Sequence, residues 1–240
     1  MAGNRTTRLL WVLWIAQLAL FLAVWLQPVS SRMTRAGGLA LFCVVWCGLV
    51  GLCWRRRPLR VALLAVTVAS GGFLALPARE LPKADALRAD YVAALRRYEG
   101  VAYVWGGESP RGIDCSGLVR RGLIDALLHR GLRTLDGGLV RRALVLWWYD
   151  TSAAALGREH DGLTARLLEA PSINALDAAR LAVGDLAVTR DGVHVLAYIG
   201  DGRWIEADPD LHRVVTLAAP VPDNAWFDTP VSLVRWTLLR

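Results

Sequence analysis

Long uncharged stretches fill the first third of the chain. Three of them hold 23, 19 and 18 residues and lie at positions 9–31, 36–54 and 61–78. Because an α-helix rises 1.5 Å per residue, such segments span roughly 27 to 35 Å, about the thickness of a bilayer's hydrocarbon core. The pattern predicts a transmembrane region of about three helices in residues 1–78. The third is the weakest, since a serine and two glycines at 70–72 dilute it, and a helix buried in the soluble part is the alternative.

The remaining residues, 79–240, show shorter periodic segments that predict one further domain. One segment over 80–99 carries apolar side chains on one helical face: Leu87, Tyr91, Val92, Leu95 and Tyr98. A second helix is predicted from Ser116, with Asp114 placed to cap its start. Between 129 and 180 the segments GLVRRALVLWWYD and GLTARLLEA also favour helices.

From Ala182 onward the apolar period changes from helical spacing to two. Five short runs with this period are predicted as strands, separated by Asp-Gly, Asp-Pro and Pro-rich turns: LAVTR, VHVLAYIG, RWIEAD, HRVVTLAA and VSLVRWTLL. Helices first and strands afterwards predict an α+β domain with N-terminal helices and an antiparallel sheet.

The distribution of charge supports the membrane assignment. Residues 1–77 contain eight arginines and no acidic residue, whereas residues 78–240 contain twenty basic and twenty-one acidic residues. No run of basic residues interleaved with aromatics is present, so a nucleic-acid partner is not expected. The densest basic cluster, RRRPLR at 55–60, predicts a cytoplasmic turn, which puts the domain after residue 79 on the extracytoplasmic side.

Cys115 is the only cysteine in the last 187 residues. Cys43, Cys47 and Cys53 fall in the second apolar segment, where a cysteine packs as a small hydrophobe, and no histidine or carboxylate near them suggests a metal site. Cys115 instead follows two glycines and precedes a helix. A helix N-terminus and a nearby imidazole both favour the reactive thiolate, so Cys115 is a candidate nucleophile.

A histidine in a predicted hairpin, His194, is the candidate base. If residues 200–202 form a three-residue loop, His194 lies opposite Asp208 with Glu206 on the diagonal, and both carboxylates reach the ring. A two-residue Asp201–Gly202 turn would shift the register by one residue and send both carboxylates to the other face.

Four sequence blocks in the expected order carry a family resemblance. AYVWGG, DCSGLV, LAVGDLAV and GVHVLAYIGDGRWIEA resemble the NlpC family of papain-like cysteine peptidases, whose members mostly cut peptide bridges of bacterial cell-wall peptidoglycan. The resemblance implies a papain-like fold with Cys115 as nucleophile and His194 as base. The family's third catalytic residue, which orients the histidine, matches Glu206. The family more often has histidine or another polar side chain at that position, and Asp208 is the alternative.

The same resemblance implies further site residues. Tyr103 matches a tyrosine that lines the site and helps stabilise the oxyanion, and Asp114 and Ser116 match substrate-recognition positions beside the nucleophile. No metal or organic cofactor is required. The spacing of 79 residues between Cys115 and His194 is longer than in compact members, with the surplus around 130–149. The tryptophans of LVLWWYD there predict either a lid or substrate wall, or a helical pair packed into the core.

The resulting expectation is a multi-pass protein of the bacterial cytoplasmic membrane. Its extracytoplasmic domain, residues 79–240, would cleave amide bonds of peptidoglycan stem peptides through a thioester. One alternative is an amidase or acyltransferase acting on a lipid or another amide. The other is a catalytically weak binding module tethered to the membrane. Nothing in the sequence indicates an oligomeric state.

Overall fold

The three apolar segments form helices in the computed structural model, which describes the backbone of residues 2–240 and the side chains from residue 5 onward. These helices are α1 (Ala2–Trp25), α2 (Arg32–Leu52) and α3 (Arg57–Ala75). All three are long and apolar enough, by length and composition, to cross a membrane. Ser31 caps α2 by accepting from the backbone N–H of Thr34 at 3.2 Å, so the turn after α1 ends where α2 begins.

Tryptophans hold the helix hairpins together. The Nε1–H of Trp14 in α1 donates to the carbonyl of Val45 in α2 at 2.8 Å. In the next hairpin, Nε1–H of Trp46 donates to Oγ1 of Thr67 in α3 at 3.0 Å. The indole N–H groups of both side chains are therefore paired between neighbouring helices.

The rest of the chain forms an α+β unit. Its helices are α4 (Ala84–Arg96), α5 (Cys115–Arg133), α6 (Gly137–Trp148), α7 (Ala153–Gly157) and α8 (Ala225–Asp228). Its strands are β1 (Glu108–Ser109), β2 (Gly112–Ile113), β3 (Thr164–Ala170), β4 (Leu186–Thr189), β5 (Val195–Gly200), β6 (Arg203–Asp208), β7 (Arg213–Ala218) and β8 (Val231–Trp236). Short 3-10 helices lie at His160–Gly162, Ala178–Arg180 and Thr237–Leu239.

Six strands form one antiparallel sheet in the order β3-β8-β4-β5-β6-β7, which confirms the predicted fold class. Helix α5 packs between α4 and the sheet, where it contacts β5 and β6. Its apolar face supplies much of the core between helices and sheet, including Leu118, Leu123 and Leu127. A second core on the other face contains Trp204, Phe227 and Leu233. Burial on both faces fixes which way each strand presents its side chains.

The helix predicted for GLTARLLEA is wrong. Residues 164–170 form β3, an edge strand paired antiparallel with β8, so that Thr164 lies opposite Trp236 and Ala170 opposite Val231. The spacing of its leucines fits a helical face as well as a strand. Pairing with β8 satisfies its backbone and overrides the local pattern.

The hairpin between β5 and β6 combines the two turns weighed from the sequence. Asp201 and Gly202 form the two-residue turn, and both have positive φ, as a turn of this kind requires. Gly200 therefore lies opposite Arg203, but an irregularity between Tyr198 and Gly200 absorbs one residue. Farther from the turn than this irregularity, Ala197 lies opposite Ile205, which is the pairing expected for a three-residue loop. Glu206 therefore stays on the same face as His194.

Candidate active site

Cys115 is the first residue of α5, and Asp114 is its N-cap. Oδ1 of Asp114 accepts from the backbone N–H of Gly117 at 2.6 Å and from the hydroxyl of Ser116 at 3.0 Å. Its Oδ2 accepts from the N–H of Gly106 at 2.9 Å. One carboxylate thus ties the helix start to the glycine loop, which we define as residues 104–108. Substrate recognition by Asp114 and Ser116 stays a prediction beside this structural role.

The glycine loop lies directly against the first turn of α5. A Cβ atom added to Gly117 would meet the carbonyl oxygen of Gly107 at 2.2 Å, a distance that no side chain tolerates. The same oxygen accepts from the N–H of Asp114 at 3.0 Å. Glycine at 117 is therefore what allows the loop to form one wall beside the sulfur of Cys115.

His194 lies between the thiol and a carboxylate. Its Nε2 is 2.6 Å from Oε2 of Glu206. On the other side, the thiol of Cys115 donates to the carbonyl of Val193, the residue before His194, at 3.8 Å, and Cys115 is among the groups that raise the pKa of the imidazole. The three residues are 6%, 1% and 0% exposed, from Cys115 to Glu206. The sulfur is thus the part of the arrangement nearest to solvent.

Asp208 makes other contacts. Its Oδ1 accepts from the backbone N–H groups of Asp210 at 2.7 Å and Leu211 at 3.0 Å. These contacts form an Asx turn at the start of the connection from β6 to β7. Of the two carboxylates weighed from the sequence, Glu206 is the one bonded to the ring of His194.

Two further contacts fix the imidazole. The indole of Trp226 in α8 stacks on the ring with centroids 4.3 Å apart and planes inclined by 30°. The backbone N–H of His194 donates to Oγ1 of Thr189 at 2.9 Å. A ring held on one face and at one nitrogen has little freedom to rotate away from Cys115, which is the condition for efficient proton transfer.

A cavity of about 600 Å³ opens beside Cys115. Tyr103, Asp114 and Ser116 line it, as the resemblance implies. Asp150 and Ser152, from the connection between α6 and α7, also line the cavity, as do Ala153 and Ala155 of α7. Ser30, in the turn before α2, and Arg35, in its first turn, complete this part of the lining. A volume of this size admits a short segment of peptide.

The tryptophans of the longer 130–149 region do not line this cavity. Trp147 packs against the main core and lies 6.2 Å from Trp25 of α1, centroid to centroid. The helix α6 therefore packs as in the second alternative drawn from the sequence. The wall of the cavity is supplied by the residues that follow it, from Asp150 onward.

Comparison with known families decides the identity of this unit. The model of the NlpC/P60 family matches residues 100–230, more than half of the chain. The chain belongs to the NlpC/P60 family. The matched range contains Cys115, His194 and Glu206, as well as Trp226, and leaves the three apolar helices and α4 outside.

Solved structures of this family resemble the chain at low identity. NlpC1 from Trichomonas vaginalis is 19% identical, with a TM-score of 0.42, and the match covers 66% of this chain and 46% of that one. The peptidoglycan hydrolase RipB from Mycobacterium tuberculosis is 21% identical, with a TM-score of 0.40 and coverages of 63% and 67%. An NlpC/P60 family protein from Bacillus cereus is 21% identical, with a TM-score of 0.37 and coverages of 65% and 41%. The chain spans less than half the length of the first and third. Curated protein sequences gave no match.

The electrostatics of this NlpC/P60 site favour a charged imidazole. Burial lowers the pKa of His194, but hydrogen bonds and charges from Cys115 and Glu206 outweigh it and raise the pKa from 6.5 to about 9. Burial raises the pKa of Glu206, and the hydrogen bond with His194 opposes that effect. Oε1 of Glu206 has no hydrogen-bond partner among the described residues, so its charge is balanced chiefly through His194.

Tyr103 remains protonated at the mouth of the NlpC/P60 cleft. Burial, together with the nearby charges of Cys115 and Asp114, raises its pKa to about 12. A protonated phenol is a hydrogen-bond donor, which is what an oxyanion needs. Within the part of the chain that is described, no group of three or more His, Cys, Asp and Glu side chains could hold a metal ion.

Sequence reasoning missed a buried charge cluster behind the cleft. Glu108 of the glycine loop accepts from Arg35 of α2 through Oε2 at 2.8 Å and lies 2.8 Å from Arg120 of α5 through Oε1. Arg120 also reaches Asp150 at 3.1 Å. Trp226 was missed too. Arg35 and Arg32 both lie at the start of an apolar segment, and nothing in the local sequence distinguishes Arg35 or marks Glu108 as its partner.

The pH dependence of catalysis tests the role of Glu206. If His194 is the general acid that protonates a leaving amine, kcat/KM of the wild type should fall as pH rises through about 9. Glu206→Gln removes a charge that raises the pKa of His194, so this fall should begin at lower pH, by about one unit. The measurement is kcat/KM against pH with a fluorogenic stem peptide.

Asp208→Asn is the matched control for this profile. It removes a carboxylate from the same strand that does not bond the ring and acts on the site only through its charge on Glu206, so the alkaline limb should shift less than in Glu206→Gln. A shift in Asp208→Asn without one in Glu206→Gln would assign the orienting role to Asp208 instead.

Proposed function

We propose that this NlpC/P60 protein is a membrane-anchored cysteine hydrolase that cleaves amide bonds in peptidoglycan stem peptides. One observation carries the proposal: an imidazole is held between a thiol and a buried carboxylate, 2.6 Å from the latter, at the side of an open cavity. Family membership supports the cell-wall substrate, and the contacts around Cys115 support the chemistry.

The proposed reaction follows from which atoms lie together. His194 holds the proton of the Cys115 thiol, and the sulfur attacks the carbonyl carbon of the substrate amide. The imidazolium then protonates the leaving nitrogen as the C–N bond breaks and a thioester forms. Water, deprotonated by His194, attacks the thioester and releases the free acid and the thiol. Glu206 keeps the ring in the orientation and charge state that both steps need.

Donors for the oxyanion lie around Cys115. The first N–H groups of a helix have no partner within the helix, so the N–H of Cys115 is available to a developing negative charge. The hydroxyl of Tyr103 at the cavity wall supplies a second donor in this proposal. The dipole of α5 acts in the same direction.

We infer that residues 1–78 anchor the domain of residues 79–240 through three membrane crossings. Two segments on one side of the bundle contact the domain. The N–H of Ser30, between α1 and α2, donates to the carbonyl of Gly106 at 2.9 Å, and Arg141 donates to the carbonyl of Leu76, just after α3, at 2.7 Å.

These contacts favour an extracytoplasmic domain. Three crossings put the α1–α2 turn and the end of α3 on the same side and the RRRPLR turn at 55–60 on the other. Because basic turns stay in the cytoplasm, the domain belongs outside the bacterial cytoplasmic membrane. A cell-wall substrate is accessible there.

Thiol-dependent cleavage tests the proposed chemistry. Purified full-length protein in lipid nanodiscs should release fragments from muropeptides, and Cys115→Ala should lower the rate by at least about 10³-fold, since nucleophile and base act as a unit. Cys53→Ala, a matched change of a buried cysteine outside the site, should keep the rate. The readout is mass spectrometry of the products.

Other outcomes of that experiment select the alternatives. Muropeptide cleavage that is equal in Cys115→Ala and wild type would rule out Cys115 as the nucleophile. No cleavage of muropeptides with Cys115-dependent release from a lipid amide would favour the amidase or acyltransferase. A Cys115→Ala variant that keeps its biological function in cells would favour the binding module.

Membrane topology is tested by labelling introduced cysteines. In intact spheroplasts a membrane-impermeant maleimide should label Gln27→Cys in the α1–α2 turn, whereas Arg56→Cys between α2 and α3 should be labelled only after permeabilisation. Both positions are exposed, so access and not burial decides the result. The unsubstituted protein gives the background. The reverse pattern would put the domain in the cytoplasm and remove the cell-wall role.

A further inference from the structure

The turn between α1 and α2 forms part of the active-site wall. The N–H of Ser30 donates to the carbonyl of Gly106 at 2.9 Å, and the N–H of Glu108 donates to the carbonyl of Pro28 at 3.2 Å. Val29 and Gly107 therefore pair as in a short antiparallel ladder. Since Gly107 also packs on the first turn of α5, only one layer of backbone separates the membrane-side turn from the helix of Cys115.

A buried ion cluster fixes this contact. Nη2 of Arg35, in the first turn of α2, lies 2.8 Å from Oε2 of Glu108, and its Nε donates to Oγ of Ser30 at 2.8 Å. Nη1 of Arg35 donates to the carbonyl of Trp147. The side chains of Arg35, Glu108 and Arg120 are 2 to 3% exposed. Movement of the turn away from the cleft would break the buried pair of Arg35 with Glu108 and leave Glu108 with Arg120 alone, so this pair opposes such movement.

A second contact holds the other end of the domain on the helix bundle. The N-terminus of α6 lies against the end of α3, where Arg141 donates to the carbonyl of Leu76 and Gly137 approaches the carbonyl of Phe73. The C-terminal end of α6 lies at α1, through Trp147 and Trp25. A helix of twelve residues is about 18 Å long, so α6 bridges the ends of two predicted spans.

Attachment at both ends sets the height of the cleft above the bilayer. On the side of the helix bundle that contacts the domain, α1 ends at Trp25, α2 begins at Arg32 and α3 ends at Ala75. The headgroup layer extends roughly 5 to 8 Å beyond the hydrocarbon core. Ser30 and Arg35 line the same cavity as Cys115, and so does Trp105, which is 76% exposed. An exposed indole is typical of the membrane interface. If the three helices cross a bilayer, these residues put the rim of the cleft next to the headgroup layer.

We propose that the substrate is a stem peptide still attached to a lipid carrier and presented at the membrane surface. This rests on the proposed function and narrows its substrate class. A lipid anchor keeps the scissile amide in the layer where Cys115 lies, which raises its local concentration without any added contact. The same peptide free in solution lacks that advantage, and one held far above the bilayer does not reach a cleft walled by helix ends.

The dependence of cleavage on spacer length tests this inference. Full-length protein in phosphatidylglycerol and phosphatidylethanolamine vesicles is given one stem peptide in three forms. The first is free, the second is joined by its amino end, through a short diacid linker, to phosphatidylethanolamine, and the third is joined in the same way through a polyethylene glycol spacer of about 50 Å, far beyond the headgroup layer. We expect kcat/KM for the directly anchored form to exceed that of the free form by about tenfold or more, and to exceed that of the spaced form.

The comparison of forms separates failure of the inference from failure of the proposed function. A rate for the free or the spaced form that equals or exceeds the rate for the directly anchored form would overturn the lipid-linked substrate and keep the hydrolase. No cleavage of all three forms would overturn the hydrolase and the inference together. Cys115→Ala supplies the background rate for each form.

Discussion

The candidate site depends on the contact between the N-terminus of α5 and the hairpin of β5 and β6. Helix α5 crosses the sheet so that its first residue, Cys115, reaches the imidazole that precedes β5. Oε2 of Glu206, on the neighbouring strand, lies 2.6 Å from Nε2 of that ring. A carboxylate buried this completely is stable only with a close partner, and its partner is the ring. The burial that makes the site rigid also sets the charge of the imidazole.

The glycine loop joins this site to the rest of the molecule. It packs on the first turn of α5, where only glycine fits at position 117, and it pairs on its other side with the turn between α1 and α2. Glu108 at its end lies between arginines from α2 and α5. The wall of the cleft is thus held by the apolar helices as well as by the family's own fold, although the family match begins only at residue 100.

Much of the fold was predictable because its signals are local. Apolar runs of helical length, the period of two after Ala182 and the capping aspartate before Cys115 are properties of short windows, and the corresponding elements were found. The edge strand β3 was not, because its leucines satisfy a helical spacing and only pairing with β8 decides against it. The register of the hairpin could not be fixed from the turn residues, since an irregularity near Tyr198 compensates for the shorter turn.

The residues of the candidate site were easier to predict than their surroundings. The order of the motifs indicated Cys115 and His194, and the resemblance indicated Glu206; their catalytic roles stay predictions. Arg35 and Glu108 are separated by 73 residues, and Trp226 reaches His194 only through the loop before β8, so no local pattern relates them. Contacts of that kind depend on the tertiary fold.

The most direct test of the account is whether the imidazole controls the reactivity of the sulfur. Rates of alkylation of Cys115 by iodoacetamide at pH 7 can be followed by peptide mapping, which separates it from the three cysteines of the apolar helices. Since a thiol reacts as its thiolate, the account predicts that His194→Ala slows this rate by about tenfold or more while the folded state is kept. Equal rates in the variant and the wild type would contradict the thiol–imidazole pair on which the proposed mechanism rests.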